Sequence, residues 1–471
     1  MSGVLVVGGG LAGLSTAAFL AWHDVPVTLV ERHTGALRHP RARAVNNRTM
    51  ELYRGIGLEP AIRAHRSHAA DPGALLLRVD TLAGKEIWRR EAVAPAGPGS
   101  ASPCGWASID QDELEEVLQG RAEELGADIR FGTTLRTLDV RDDGVTALVE
   151  DGTGQYEITA RYLVAADGHR SGIRRRLGIE PDGPGVLGDT FTFLFVADLH
   201  EALNGRTISV VHIEQPRPGT VLLPHDGDRQ WVFSAPFEPD VDGPPEEFTE
   251  EYCADLVRAA IGVPDLDVRV VPQMADGTTI LTYQLGGRVA PRFSDGPVFL
   301  VGDAAHQVPP TGAFGASTGV QDTHNLAWKL AMVLRGEAGP SLLDTYDTER
   351  RPVAWFTLEQ ALLQLRDRTG RDVLGNGAKP AEYDSVVFGY RYGPGEALPP
   401  EELRGQVGTR APHLTVTRGG TGLSTVDLYG PRFVLVTTDG DAARPLEKEY
   451  PLDVYELGTD LDAPDYLAAH E

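Results

Sequence analysis

Cysteine is nearly absent. The 471 residues hold two, Cys104 and Cys253, and no C-x-x-C. That count excludes a disulfide framework and a thiolate metal cluster, and it makes a reducing compartment, the cytoplasm, the expected location. Basic residues are also short: 43 Lys and Arg stand against 68 Asp and Glu, a formal net charge of −25. Such a chain repels phosphate backbones and anionic bilayers, so neither nucleic acid nor a membrane is an expected partner. No apolar run reaches the roughly 18 residues a membrane span needs. The first residues carry no basic n-region, so no leader peptide is expected. No internal repeat is visible. What remains is an acidic chain, 41% hydrophobic, with enough length for roughly three domains.

The informative stretch is the first 33 residues. Val4-Leu5-Val6-Val7 is an apolar, β-branched run of strand length. It leads into Gly8-Gly9-Gly10-Leu11-Ala12-Gly13, which fits G-x-G-x-x-G at positions 8, 10 and 13. Leu14 to Trp22 reads as a helix, and Val25 to Val30 as a second strand ending in Glu31, 18 residues beyond Gly13 (31 − 13). The residue types fit one task. Gly8 allows a tight turn, Gly10 lets the backbone approach a pyrophosphate, and Gly13 lets the helix lie close to the sheet. Free N–H groups at the helix start face the negative charge, and the acid meets a ribose hydroxyl. A structural glycine turn is the alternative for the glycines alone. Strand, helix, second strand and Glu31 together point to an ADP-containing cofactor.

Further along, Arg41, Arg43 and Arg48 crowd a short loop before a helix over residues 49–54. In an acidic protein this reads as a clamp on phosphates or on the edge of a flat ring, with a solvated loop as the alternative. Residues 72–105, rich in Pro, Gly and Ala, read as a surface excursion. Gln111 opens a helix with acidic first-turn residues. A strand follows over 126–131, then a hairpin, Leu135 to Val140 with Val145 to Glu150. Asp167-Gly168 ends another apolar strand, where a carboxylate can face a cofactor. Residues 188–290 alternate short β-type runs with turn residues and one helix, about 248–260, which predicts an antiparallel sheet inserted into the first domain. A sheet laid over a dinucleotide domain makes a cleft suited to a flat ligand. The strand Val298 to Val301 returns to the first domain and ends in Gly302-Asp303. Small residues near Gly315, Ala316 and Ser317 open a long helix, and a further helix spans 340–359. The expected division is 1–187 and 291–395 for the dinucleotide domain, 188–290 for the substrate domain, and 396–471 for a small α/β appendage. That appendage stops without a closing element and reads as incomplete.

Together these motifs resemble the single-component FAD-dependent aromatic hydroxylases of the para-hydroxybenzoate hydroxylase type, and more nearly their aromatic polyketide hydroxylase branch. Four segments carry the resemblance: the fingerprint with Glu31; Arg41-Ala42-Arg43 through Arg48-Thr49-Met50-Glu51; Ala166-Asp167-Gly168; and Gly302-Asp303-Ala304-Ala305-His306 with Pro309-Pro310-Thr311-Gly312. The helix Gln321 to Leu330 extends it. The resemblance implies a Rossmann-like FAD domain, an inserted β-sheet substrate domain and a thioredoxin-like tail that cannot act as a dithiol module. It places Gly8, Gly10, Leu11, Ala12, Gly13, Glu31 and Arg32 at the adenosine and pyrophosphate end. Arg41, Arg43 and Gln111 lie along the FAD, and Leu135 meets the adenine through its backbone. Asp167 and Gly168 belong to a segment linked with both FAD and NAD(P)H, and Asp303 meets the ribityl region. Backbone N–H groups of Gly315, Ala316 and Ser317 face the flavin, with Pro310 lining the site above. Many relatives have Asn where Ser317 stands.

The implied reaction is a monooxygenation. NADPH or NADH reduces FAD, O2 adds as a flavin C4a-hydroperoxide, and one oxygen passes to an aromatic carbon of a phenolic or polycyclic polyketide substrate. No side chain is assigned to the chemistry. His225, Tyr283 and Arg366 are candidates for a base only by expected proximity to the cleft, and each has a structural alternative. His306 reads as support for its loop. No second fingerprint sits between a strand and a helix, so NAD(P)H is expected to lack a domain of its own. Two rivals stay open: Baeyer–Villiger or epoxidising chemistry on the same scaffold, and a non-catalytic flavin- or ligand-binding protein. A monomer or homodimer is expected.

Overall fold

The computed structural model describes residues 2–35, 42–65, 73–91, 101–225, 229–244, 247–274, 277–369, 372–393 and 396–467. In chain order the elements begin with β1 (Ser2–Val7), α1 (Leu11–Trp22), β2 (Val27–Val30), α2 (Asn47–Gly55) and α3 (Glu59–Ala64). Then come β3 (Leu75–Val79), β4 (Glu86–Glu91), α4 (Gln111–Glu124), β5 (Asp128–Arg130), β6 (Thr134–Arg141), β7 (Gly144–Asp151), β8 (Gly154–Ala165) and α5 (Gly172–Arg176). The middle holds β9 (Asp182–Val196), α6 (His200–Leu203), β10 (Ile208–Ile213), β11 (Thr220–Pro224), β12 (Gln230–Phe237), α7 (Pro239–Asp242), α8 (Glu250–Ile261), β13 (Arg269–Val271) and β14 (Ile280–Val289). After β15 (Ser294–Asp295), β16 (Val298–Leu300) and β17 (His306–Gln307) follow α9 (Phe314–Leu334), α10 (Asp344–Thr369) and α11 (Tyr383–Phe388). The tail adds β18 (Thr415–Arg418), β19 (Thr421–Ser424), β20 (Phe433–Thr437), α12 (Gly440–Ala443) and β21 (Leu452–Glu456).

Five strands form a parallel platform in the order β16-β8-β1-β2-β5. Their continuous apolar runs follow from burial on both faces: Val4, Leu5, Val6 and Leu29 are all fully buried. Helix α1 packs between α4 and α9. The expected hairpin is β6–β7, and β7 continues antiparallel onto β8.

The second sheet runs β17-β14-β9-β12-β11-β10-β3-β4, with β13 beside β9. Period-two alternation on β9 sends Phe191, Phe193 and Phe195 to one face, where they form a core with Cys253, Val257 and Ile261 of α8. Each such phenylalanine contributes about 2–3 kcal/mol of burial. The opposite face looks at the platform. Leu285 of β14 packs against the platform core, and β17 joins the turn after β16 to β14.

Four sequence expectations are corrected here. The 72–105 segment is not only a surface excursion, because β3 and β4 within it are strands of the second sheet. Nor is the sheet wholly antiparallel: β10 pairs with β3 in parallel. The ladder also begins earlier than residue 188, since β9 starts at Asp182. Helix α10 runs past residue 359 to Thr369 with Pro352 inside it.

The tail holds a β18–β19 hairpin and a parallel β20–β21 pair. It is fastened by Arg54 Nε, which donates to Asp427 at 2.6 Å, and by a buried pair of Arg410 with Glu51. Among the described residues no helix is long and apolar enough to cross a membrane.

Candidate active site

Four loops leave the platform at one edge. Gly8 follows β1, Glu31 follows β2, Asp167 follows β8 and Gly302 follows β16, and these four strands are neighbours running in the same direction. Segments almost three hundred positions apart therefore share the crevice outside the carboxyl ends of the strands, where ligands of open parallel sheets bind.

The glycines have the geometry their roles require. Gly8 has φ +112°, and a Cβ there would lie 2.3 Å from the Ala166 carbonyl oxygen. A Cβ on Gly13 would lie 1.8 Å from the Gly8 oxygen, so the α1 backbone rests directly on the turn. Gly10 differs. It is the N-cap of α1 and makes no side-chain cap, and a Cβ there would meet only Glu115 Oε1, at 3.7 Å. The first-turn N–H groups of α1, which have no partner within the helix, open onto this space.

Glu31 closes the far side. Its Oε2 accepts from the Gly9 N–H at 2.7 Å, and its Oε1 accepts from the His33 N–H at 2.9 Å. Arg32 beside it is exposed. Leu135 lies on β6 where the register with β7 shifts. Gln111 Oε1 accepts from the Ala42 N–H at 3.2 Å, and its Nε2 donates to Glu115 Oε1 at 2.6 Å. Glu115, 2% exposed, is a part of the site that sequence reasoning missed. Its place one turn after Gln111 is the signal that could have found it. Arg43 donates from Nε to Asp110 at 2.9 Å and from its terminal nitrogens to the carbonyls of Pro224 and His225. It therefore straps the platform to the end of β11. Arg41 lies outside the described residues.

At the other end, Asp167 Oδ2 accepts from the Ile173 N–H at 3.2 Å, while its buried Oδ1 has no hydrogen-bond partner among the described residues. Gly168 has φ +78° and faces open space. Asp303 is exposed on the short turn after β16. That turn is held from behind. Asp322 Oδ2 lies 2.6 Å from His306 Nε2 and accepts from the Gly302 N–H at 3.3 Å, and Oδ1 accepts from Arg350 Nε at 2.8 Å. Burial alone would raise the Asp322 carboxyl, but His306 and Arg350 outweigh it and hold it below the usual carboxylate range. His306 is thus a buried support of the turn.

Helix α9 begins after Ala313, without a side-chain cap. Gly315 and Ala316 stand in its first turn. Ser317 is fully buried, and its Oγ accepts from the Asn46 N–H at 3.4 Å, so its side chain faces α2. Pro310 is exposed on the loop before this helix.

The three candidate bases have different surroundings. Tyr283 is half-buried on the face of β14 that looks at the platform, and burial pushes its phenol up, the wrong direction for a base at neutral pH. His225 contributes its backbone carbonyl to Arg43. Arg366 donates to Asp367 at 3.2 Å and to the Ala378 carbonyl at 2.8 Å, near the end of α10.

An open cradle at Gly10, two uncapped helix starts and an orphaned carboxylate oxygen at Asp167 suit a long anionic dinucleotide bearing a ring system. The fold and site are those of a dinucleotide-dependent enzyme with a sheet-roofed cleft. Comparison with known proteins narrows this. Residues 1–361 match the family model described as "FAD binding domain". The chain is 39% identical to tetracenomycin A2 monooxygenase-dioxygenase of Streptomyces glaucescens, covering 92% of this chain and 81% of that protein. It is 37% identical to 4-methyl-5-nitrocatechol 5-monooxygenase of a Burkholderia species, covering 98% and 88%. The crystal structure of aklavinone-11 hydroxylase in a ternary complex with FAD and aklavinone superposes with a TM-score of 0.92 at 33% identity, covering 100% of this chain and 91% of that one. The chain belongs to the FAD-binding aromatic hydroxylases. It is a single-component flavoprotein monooxygenase.

Proposed function

We propose that this monooxygenase hydroxylates an electron-rich ring of a phenolic, polycyclic compound of the aromatic polyketide type, with electrons from NADPH or NADH and oxygen from O2. The observation that carries the reading is the convergence of four parallel strand ends and the start of α9 beneath the inner face of the second sheet. The named relatives act on tetracenomycin A2, a nitrocatechol and aklavinone, and oxygenated aromatic rings are common to them.

When bound, FAD supplies electron storage and the activation of O2 for transfer of one oxygen atom to the ring. Every other task belongs to the chain. Gly10, Leu11, Ala12 and Gly13 offer main-chain N–H groups to the pyrophosphate, while Gly8, whose N–H donates to the Val30 carbonyl, makes the tight turn before them. Glu31 holds the adenosine ribose, with Arg32 and the Leu135 backbone at the adenine. Arg41, Arg43 and Gln111 run along the middle of the cofactor. Asp303 holds its ribityl portion or the nearby phosphate, and Asp167 and Gly168 serve both FAD and NAD(P)H. The N–H groups of Gly315, Ala316 and Ser317 favour negative charge on the ring system. Pro310 and the sheet wall the reacting face and keep water out.

The segment from residue 396 is thioredoxin-like, a reading supported by the parallel β20–β21 pair with α12 between them. Lacking C-x-x-C, it carries no dithiol chemistry. The enzyme works in the cytoplasm as a monomer or homodimer.

The test is an aerobic incubation of the FAD-loaded protein with a panel of phenols and polyketides. The expected result is a compound that both accelerates NADPH consumption and gains one oxygen atom by mass. A panel in which no compound does both, or a colourless protein that takes up no FAD, refutes the reading.

A further inference from the structure

The sheet face that looks at the platform is mostly hydrocarbon. Val221, Leu223, Val232 and Leu281 alternate toward it, opposite in phase to the phenylalanines of the α8 core. Away from His212 of β10 and Arg78 of β3, which share this face, a further place on it is polar. Tyr283 of β14 pairs directly with Thr190 of β9, and Ser234 of β12 pairs with Thr192 two residues further along β9. The registers set Thr190 and Ser234 beside Tyr283 on this face, and its hydroxyl interacts with both side chains. Its ring therefore lies across β9, and three hydroxyls from three strands meet at one point. Tyr283, Thr190 and Ser234 are each half-buried, so a ligand in the cleft can reach them.

Each hydroxyl brings one donor and two acceptor lone pairs. Three hydroxyls carry twice as many lone pairs as donors, so the cluster keeps acceptor capacity, and a rotatable O–H, for a further partner. An apolar wall with a few placed polar groups is how a ligand site fixes orientation. We propose that Tyr283, Thr190 and Ser234 form a specificity-determining point that binds one ring oxygen of the substrate, a phenol hydroxyl or a quinone carbonyl. That contact sets which carbon is presented to the reacting face. The inference rests on the aromatic-hydroxylase reading above and adds to it a requirement for an oxygen substituent facing the sheet. Burial keeps the Tyr283 phenol neutral at physiological pH, so it remains a donor as well as an acceptor. An analogue without the oxygen leaves the cluster unpaired, and such sites discriminate more sharply than hydrophobic pockets do.

The experiment uses the FAD-loaded full chain and two probes, 1,8-dihydroxyanthraquinone and anthracene. Binding is followed by perturbation of the bound flavin's visible spectrum, independently of turnover. Wild type is expected to bind the oxygenated probe at least about tenfold more tightly. Tyr283→Phe and Ser234→Ala should each shrink that ratio by about fivefold to tenfold while leaving the anthracene Kd unchanged. The inference is overturned if the variants leave the ratio unchanged, or weaken both probes equally. Flavin content and thermal midpoint report folding, and if Tyr283→Phe fails to fold, Ser234→Ala decides. Failure of the underlying reading is distinct: wild type then shows neither a spectral change nor faster NADPH oxidation with 1,8-dihydroxyanthraquinone.

Discussion

Glu51 offers the sharpest perturbation of the fold. It sits in α2 at 2% exposure, with Arg48 NH1 at 2.8 Å, Ser102 Oγ at 2.7 Å and Arg410 Nε at 2.9 Å. Arg410 is itself 8% exposed and comes 359 residues later in the chain. Glu51→Gln keeps the shape and removes the charge, which strands two buried guanidinium groups. Breaking a buried pair in this way costs about 3–5 kcal/mol. In a chain of this size that lowers Tm by about 6–10 °C, at the lower end of the sensitivity of mid-sized domains. The assay is release of flavin fluorescence on heating, with a urea midpoint as a check. Ser102→Ala, which removes one neutral donor to the carboxylate, should cost about 1–3 kcal/mol. The pH dependence has a definite sign. Burial alone would raise the Glu51 carboxyl, but Arg410 and Arg48 outweigh it and hold it below the usual range. The stabilisation is complete above the unfolded carboxyl's pKa of about 4.3 and disappears as pH falls through the depressed folded value. The gap between wild type and Glu51→Gln should thus be flat from neutral pH to about pH 5 and close below it. A variant within about 1 kcal/mol of wild type at pH 7 would show that the tail is not fastened at this point.

Three further outcomes can be measured. Gly13→Ala places a methyl 1.8 Å from the Gly8 oxygen and should abolish flavin retention. A yellow variant with normal flavin content would refute the tight helix–turn contact. Asp322→Asn leaves Arg350 and His306 without their buried anion and loosens the Gly302–Asp303 turn. FAD affinity should fall about tenfold or more in fluorescence titration of the apoprotein, and an unchanged Kd contradicts the support role. Burial pushes the His23 imidazole down to about 4. Its contribution is complete above pH 6.5 and is lost as pH falls toward that folded value. Acidification from pH 7 to 5 should therefore cost about 2 kcal/mol through this residue. Urea midpoints should show a smaller loss in His23→Gln, and equal losses count against a buried neutral imidazole.

Local signals were legible, and distant ones were not. The fingerprint, the β6–β7 hairpin and β12 follow from runs of a few residues whose type and spacing decide them. β12, Gln230–Phe237, is one of the short β-type runs expected within residues 188–290. β3 was hidden by the Pro, Gly and Ala around it, and its strand character comes from pairing with β10, more than a hundred residues away. The end of α10 was misplaced because nothing at residue 359 stops a helix, and Leu358, Leu362 and Leu365 bury a continuous stripe in the platform core. The carboxylates that brace the site, Glu115 and Asp322, sit in helices that announce themselves only as helices. Their partners across the fold were needed to give them work. Glu51 and Arg410 show the same limit, since charge pairing between residues so far apart has no periodicity.

The strap from Arg43 to the backbone oxygens of Pro224 and His225 has a mechanical corollary. Because it grips main-chain atoms of the upper layer, the attachment is indifferent to which side chains that layer carries. Substitutions at positions such as Val221 or Leu223 can therefore reshape the ceiling of the chamber while its hinge point stays put. An evolving or engineered variant could exchange one guest molecule for another in this way without re-solving how the two halves of the enzyme meet.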